Sequence, residues 1–173
     1  MKVAHPLLAC VAMVSVHAIA QNSSVNVNNA SQVQQGGTGN SQGIDLGNVK
    51  GLGKANVNAQ QIIQVQSGNL NQQSIKAGEV SGNGQANVNI GTAVQIQGGV
   101  LNKQQLNVGN TSAGGTANVN AGRVVQIQGG AMNNSAVNIG NVSGQGSSNV
   151  SVGDVIQIQG GMGQNANVRI GNK

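Results

Sequence analysis

The 173-residue chain has no phenylalanine, tyrosine or tryptophan, one cysteine, one proline, two histidines and three acidic residues. Each shortage excludes something. Without aromatic side chains a wide globular core cannot reach normal packing density, whereas a core one or two side chains thick can be filled by Val, Ile, Leu, Met and Ala. A single cysteine permits no internal disulfide. Acid–base and nucleophilic catalysis lean on histidine, cysteine or paired carboxylates, and the usual zinc sites need several such ligands. His5, Pro6, Cys10 and His17 all fall within the first twenty residues, so residues 21–173 contain none of these types. The expectation is a non-enzyme with no metal, no cofactor and no small-molecule substrate. A formal charge of +5 is spread thinly along the chain. Nucleic-acid binding, which calls for a basic stripe or aromatic platforms, is therefore not expected.

The first twenty residues read as a secretory signal. Lys2 precedes an apolar run from Leu7 to Val16, and Ala18-Ile19-Ala20 closes it with the small-x-small pattern of a cleavage site. The run is too short to span a bilayer as a helix. Cleavage directed by Ala18 and Ala20 would send residues 21–173 out by the Sec route and through the periplasm.

What the chain does have is a repeat. "ANVNAQQIIQVQSG" at Ala55 returns as "ANVNIGTAVQIQGG" at Ala86, "ANVNAGRVVQIQGG" at Ala117 and "SNVSVGDVIQIQGG" at Ser148, a step of 31 residues without slip. A second phrase, "QLNVGN" around Asn107, recurs at the same step around Asp45, Lys76, Asn138 and Arg169. An imperfect first copy begins at Val25. The chain thus divides into a leader (1–20), an N-terminal coil (21–54) and a repeat region (55–85, 86–116, 117–147 and 148–173).

Within each copy apolar and polar residues alternate, which is the strand period, and β-branched Val and Ile suit a pleated surface. Glycines mark the ends of these short runs. Short strands, glycine corners and a fixed period together predict an all-β protein. Its architecture would be a parallel, in-register, amyloid-like β-solenoid of about five stacked 31-residue coils. Equivalent residues would then form columns. Two apolar columns are expected to be core ladders: Val57, Val88, Val119 and Val150, and Val65, Ile96, Ile127 and Ile158. Three amide columns are expected to hydrogen-bond along the stack: Gln64, Gln95, Gln126 and Gln157; Gln66, Gln97, Gln128 and Gln159; and Asn56, Asn87, Asn118 and Asn149. Stacking penalises repeated charge, and no column has like charges on adjacent coils. Asp154 falls one coil from Arg123 and Asp45 one coil from Lys76, so both are expected to form inter-coil ion pairs. Arg169 shares a column with Asp45, which places the two at a junction between molecules stacked head to tail.

The turn after each long run reads Gln-x-Gly-x-x-Asn or nearly so: "QSGNLN" at Gln66, "QGGVLN" at Gln97, "QGGAMN" at Gln128, "QGGMGQ" at Gln159. This resembles the core of curlin repeats, and "ANVN…GNLNQQ" resembles the Asn- and Gln-rich repeats of the Fap fibril proteins. Either resemblance implies a secreted bacterial functional-amyloid subunit that polymerises outside the cell into biofilm matrix. The partners so implied are further copies of itself, a related fibre subunit or nucleator, and export machinery. The alternative left open is a monomeric β-solenoid adhesin or binding module.

Overall fold

The structure, a computed structural model, describes residues 14–17, 22–36, 38–39, 41–50, 52–112 and 115–171. Among them every regular element is a strand. The strands are β1 (Val14–His17), β2 (Asn22–Gln35), β3 (Gln42–Lys50), β4 (Lys54–Ser67), β5 (Gln73–Ala77), β6 (Val80–Ser81) and β7 (Gln85–Gln97). They continue as β8 (Gln104–Val108), β9 (Thr111–Ser112), β10 (Thr116–Ile127), β11 (Ser135–Ile139), β12 (Val142–Ser143), β13 (Ser147–Ile158) and β14 (Ala166–Ile170). One coil is a long strand, a turn, a five-residue strand, a glycine corner and a two-residue strand. In the first coil the last three merge into β3.

Like strands stack on like. The long strands form one sheet in the order β2, β4, β7, β10, β13, and the short strands another in the order β3, β5, β8, β11, β14. The two-residue strands make a third ladder that starts from the end of β3. These pairings are parallel and keep the 31-residue register: Val57 lies opposite Val88, Val88 opposite Val119 and Val119 opposite Val150. The first long strand is offset by 32 residues, Val25 opposite Val57, while the short strand after it returns to 31, Ile44 opposite Ile75. The extra residue therefore lies in the turn between β2 and β3. The backbone of β1, inside the expected leader, lies parallel on the outer edge of β3, with Val14 opposite Ile44 and Ser15 opposite Asp45. The cleavage residues Ala18 and Ala20 lie outside the described residues.

The interior has two unlike halves. In the coil built from β7 and β8, Val88, Ile90 and Ala93 from the long strand pack with Leu106 and Val108 from the short one, and Ala86 packs in a smaller cluster with Val80, all buried. Burying each Val or Ile contributes about 1.5–3 kcal/mol. Beside them lie Gln95, Gln97, Asn102 and Gln104, buried just as fully. The division arises in mid-strand. In β4, Gln60 and Gln61 both face outward, so Ala55, Val57 and Ala59 point in before them, and Ile62, Gln64 and Gln66 after them. The pairing skips from Ala59–Ile90 to Gln61–Thr92 with the offset unchanged at 31, so both strands bulge outward at the same point, with two successive residues on the outer side and no extra residue in either strand. Every coil bulges at the same place, so the stack stays in register while the inward parity changes.

This bulge corrects one expectation. The Val57, Val88, Val119, Val150 column is a core ladder, with Val150 less covered because it belongs to the last coil. The Val65, Ile96, Ile127, Ile158 column is in register but faces outward, and Ile96 and Ile158 are exposed. The alternation holds, with its sense reversed beyond the bulge.

Candidate functional site

The chemistry-bearing feature of this chain is its amide columns. Gln64 Nε2 donates to Gln32 Oε1 at 3.0 Å, Gln95 Nε2 to Gln64 Oε1 at 3.0 Å, Gln126 Nε2 to Gln95 Oε1 at 2.7 Å and Gln157 Nε2 to Gln126 Oε1 at 3.0 Å. The second N–H of the inner amides crosses to the facing short strand: Gln64 to Ser74 O (3.2 Å), Gln95 to Gln105 O (2.9 Å) and Gln126 to Ala136 O (2.9 Å). Bonds also run the other way, from Gln73 Nε2 to Ile96 O (3.1 Å) and from Gln104 Nε2 to Ile127 O (2.7 Å). Each such bond nets about 0.5–1.5 kcal/mol, but leaving its buried partners unpaired costs more. The amide half thus ties each coil to the next and the two sheets to each other.

The second glutamine column closes the turn. Gln128 Nε2 donates to Gln97 Oε1 (3.3 Å) and Gln159 Nε2 to Gln128 Oε1 (3.0 Å). Both also reach turn carbonyls, Asn134 O at 2.5 Å and Asn165 O at 2.6 Å. Gln34 begins the same column, with Gln66 stacked on it one coil below Gln97. The asparagine that ends the Gln-x-Gly-x-x-Asn motif forms a further buried ladder, Asn102 to Asn71 (3.4 Å) and Asn133 to Asn102 (3.2 Å). Its amide nitrogen also binds carbonyls of the glycine pair: Asn102 to Gly99 O and Asn133 to Gly129 O (2.8 Å). The motif is therefore a turn whose two amide ends both point inward. Its terminal asparagine was not among the expected ladder residues, although the motif repeats it at the same step.

On the outer face, Asn87 donates to Asn56 (2.8 Å) and Asn118 to Asn87 (2.9 Å), as expected, while Asn149 in the last coil is exposed. A parallel ladder two residues along, Asn58 to Asn26 (3.3 Å), Asn89 to Asn58 (3.2 Å) and Asn120 to Asn89 (3.3 Å), was not anticipated. The second asparagine of each "ANVN" phrase was its signal. The two columns border an open groove of about 510 Å³.

The ion pairs divide. Arg123 Nη2 lies 3.3 Å from Asp154 Oδ2 across adjacent coils, with both side chains 58% exposed. Pairs this wet are worth about 0.2–1 kcal/mol. Arg123→Ala should accordingly lower stability by no more than about 1 kcal/mol, as read by guanidinium unfolding; a larger loss would give the pair a role its exposure does not allow. Asp45 and Lys76 are register partners, but the expected pair between them does not form. Lys76 Nζ turns instead to Glu79 Oε2, 3.6 Å away, because the intervening Gly78 corner folds residues 76 and 79 together within one coil.

The ends of the stack differ from its middle. Val137 and Ile139 of β11 are fully buried, whereas Val168 and Ile170, their partners in β14, are 45% and 49% exposed. Arg169 lies between them on the same open edge. Among the described residues no strand lies beyond β13 or β14.

These features define a class: an all-β parallel solenoid of about five turns at roughly 31-residue spacing, held by aliphatic columns on one side of its interior and amide ladders on the other. No family model matches the chain, and no curated protein or solved structure matches it.

Proposed function

We propose that the chain is a secreted structural subunit that stacks end to end into extracellular amyloid fibres of a bacterial biofilm matrix, as major subunit or as nucleator. Residues 1–20 direct it through the Sec route and the periplasm, and its partners are further copies, related subunits and the export machinery. The observation that carries this reading is the open face of the last coil, whose core side chains are half exposed where the same columns are sealed one coil earlier. The first coil offers the matching columns. Continuing the register places Val150 on Val25, Gln157 on Gln32, Gln159 on Gln34, Val168 on Ile44 and Arg169 on Asp45 of the next molecule. A head-to-tail contact of this kind does not close on itself and generates a filament. β1 supports the geometry: its backbone occupies on β3 the position the junction assigns to β14, with Ser15 opposite Asp45. Removal of the leader vacates that edge.

The test uses residues 21–173. Incubation should yield thioflavin-positive fibres with a reflection near 4.7–4.8 Å along the axis. Arg169→Glu meets Asp45 of the next molecule with like charge, and fibre growth should slow several-fold, as expected for a pair worth up to about 1 kcal/mol. Combining it with Asp45→Arg should restore growth. A chain that stays monomeric, or growth indifferent to Arg169→Glu, would remove the end-to-end reading.

A further inference from the structure

The inverted half of the long strands leaves an unusual outer surface. Ile63, Val94, Val125 and Ile156 form one outward column, and Val33, Val65, Ile96, Ile127 and Ile158 another, two residues along. Val33, Ile96, Ile156 and Ile158 are exposed and the others half-buried. The two columns contain no charged residue. The nearest charges on the same long strands are Arg123 and Asp154, one of each sign and already paired.

From these columns we infer that the stripe is a lateral docking surface for a second copy of this chain, pairing two stacks side by side. This rests on the end-to-end reading above. Self-recognition follows from the shape: two identical β-branched ladders at one coil spacing interdigitate as a dry sheet-to-sheet interface, and a neutral rim meets its own copy without repulsion. A basic rim, which would favour a lipid surface, is missing from the stripe. Its size explains when pairing occurs. Five coils at about 4.8 Å give a stripe about 24 Å long and on the order of 12 Å wide, a few hundred Å². A stable interface needs roughly 800 Å² per partner, so one molecule offers too little. Stacking continues the stripe along the Val33 column, since Ile158 falls in the column of Val33 of the next molecule, while Ser31 stands once per molecule in the column of Ile63. Contact area then grows with length, and lateral pairing follows elongation.

The experiment is mass per unit length of fibres by scanning transmission electron microscopy. Wild-type fibres should carry two chains per about 24 Å of axis. Fibres of the fourfold variant Val94→Thr, Ile96→Thr, Val125→Thr, Ile127→Thr should carry one, because threonine keeps the β-branch and removes the apolar surface. Wild-type fibres at one chain per that length would overturn the lateral inference and leave end-to-end stacking intact; so would variant fibres that remain double. Wild-type fibres that are single and that capture neutral lipid vesicles, with the variant failing to capture them, would assign the stripe to lipid instead. Absence of any fibre would defeat both readings together.

Discussion

Gln95→Leu is expected to destabilise the folded chain by about 3–5 kcal/mol, far more than Ile96→Thr beside it, which should cost about 1 kcal/mol or less. Hydropathy alone would order them the other way. The structure reverses the order because Gln95 is 1% exposed and Ile96 is 36% exposed. Gln95 makes three hydrogen bonds: it donates to Gln64 Oε1 and Gln105 O, and accepts from Gln126 Nε2. Leucine fills much of the same volume but satisfies none of these partners. Each buried group left unpaired costs about 1–3 kcal/mol, and leucine's own transfer into the interior offsets only part of that. Because the position is in the middle of a one-dimensional stack, the defect weakens the interfaces on both sides. Guanidinium unfolding followed by circular dichroism should show a lower midpoint and a broader transition for Gln95→Leu alone. Equal effects at the two positions would mean that this long strand does not change parity at Gly91–Thr92.

That parity change marks the boundary of what the sequence discloses. The 31-residue step determined the register, and the register placed Val57 on Val88 and Asn56 on Asn87 as expected, since identical neighbours in a parallel stack follow from spacing alone. Inside and outside do not. A strand of alternating Val/Ile and Gln is compatible with either sense, and burial normally selects the aliphatic set. Here the bulge at Gln60, Gly91, Gly122 and Gly153 turns two successive residues outward, and the second half of the strand inherits the opposite phase. The chain did carry a hint. The columns of Gln64 and Gln66 are glutamine in every copy, from Gln32 and Gln34 to Gln157 and Gln159, while the neighbouring outer columns vary among Ser, Val and Ile. Strict identity at an amide is what a ladder with no solvent to replace a lost partner demands. Side-chain choices such as Lys76 turning to Glu79 depend on corner geometry that spacing does not encode.

Gly109→Ala is the second change with a large expected effect, a loss of about 2–5 kcal/mol. Gly109 turns the chain from β8 to β9 with φ +68°, and its N–H donates to Ala77 O at 2.7 Å, part of a ladder that Gly78 and Gly140 continue. Two costs coincide. A left-handed backbone costs an L-residue about 1–2 kcal/mol. A Cβ at this position would also lie 2.4 Å from Cγ2 of Val119, a buried core-ladder residue, and overpacking of this kind costs about 1–3 kcal/mol. The two are separable. Val119→Ala removes the obstructing methyl groups, so the double variant should lose clearly less than the sum of the single changes, leaving only the backbone cost and the missing valine. Gly43→Ala is the comparison: nothing lies within 4 Å of its Cβ and its φ is not positive, so it should be neutral or gain about 0.4–1 kcal/mol through the unfolded chain. Strict additivity of Gly109→Ala and Val119→Ala would show that the corner does not close against the valine column, and the tight junction between short strand and core would have to be abandoned.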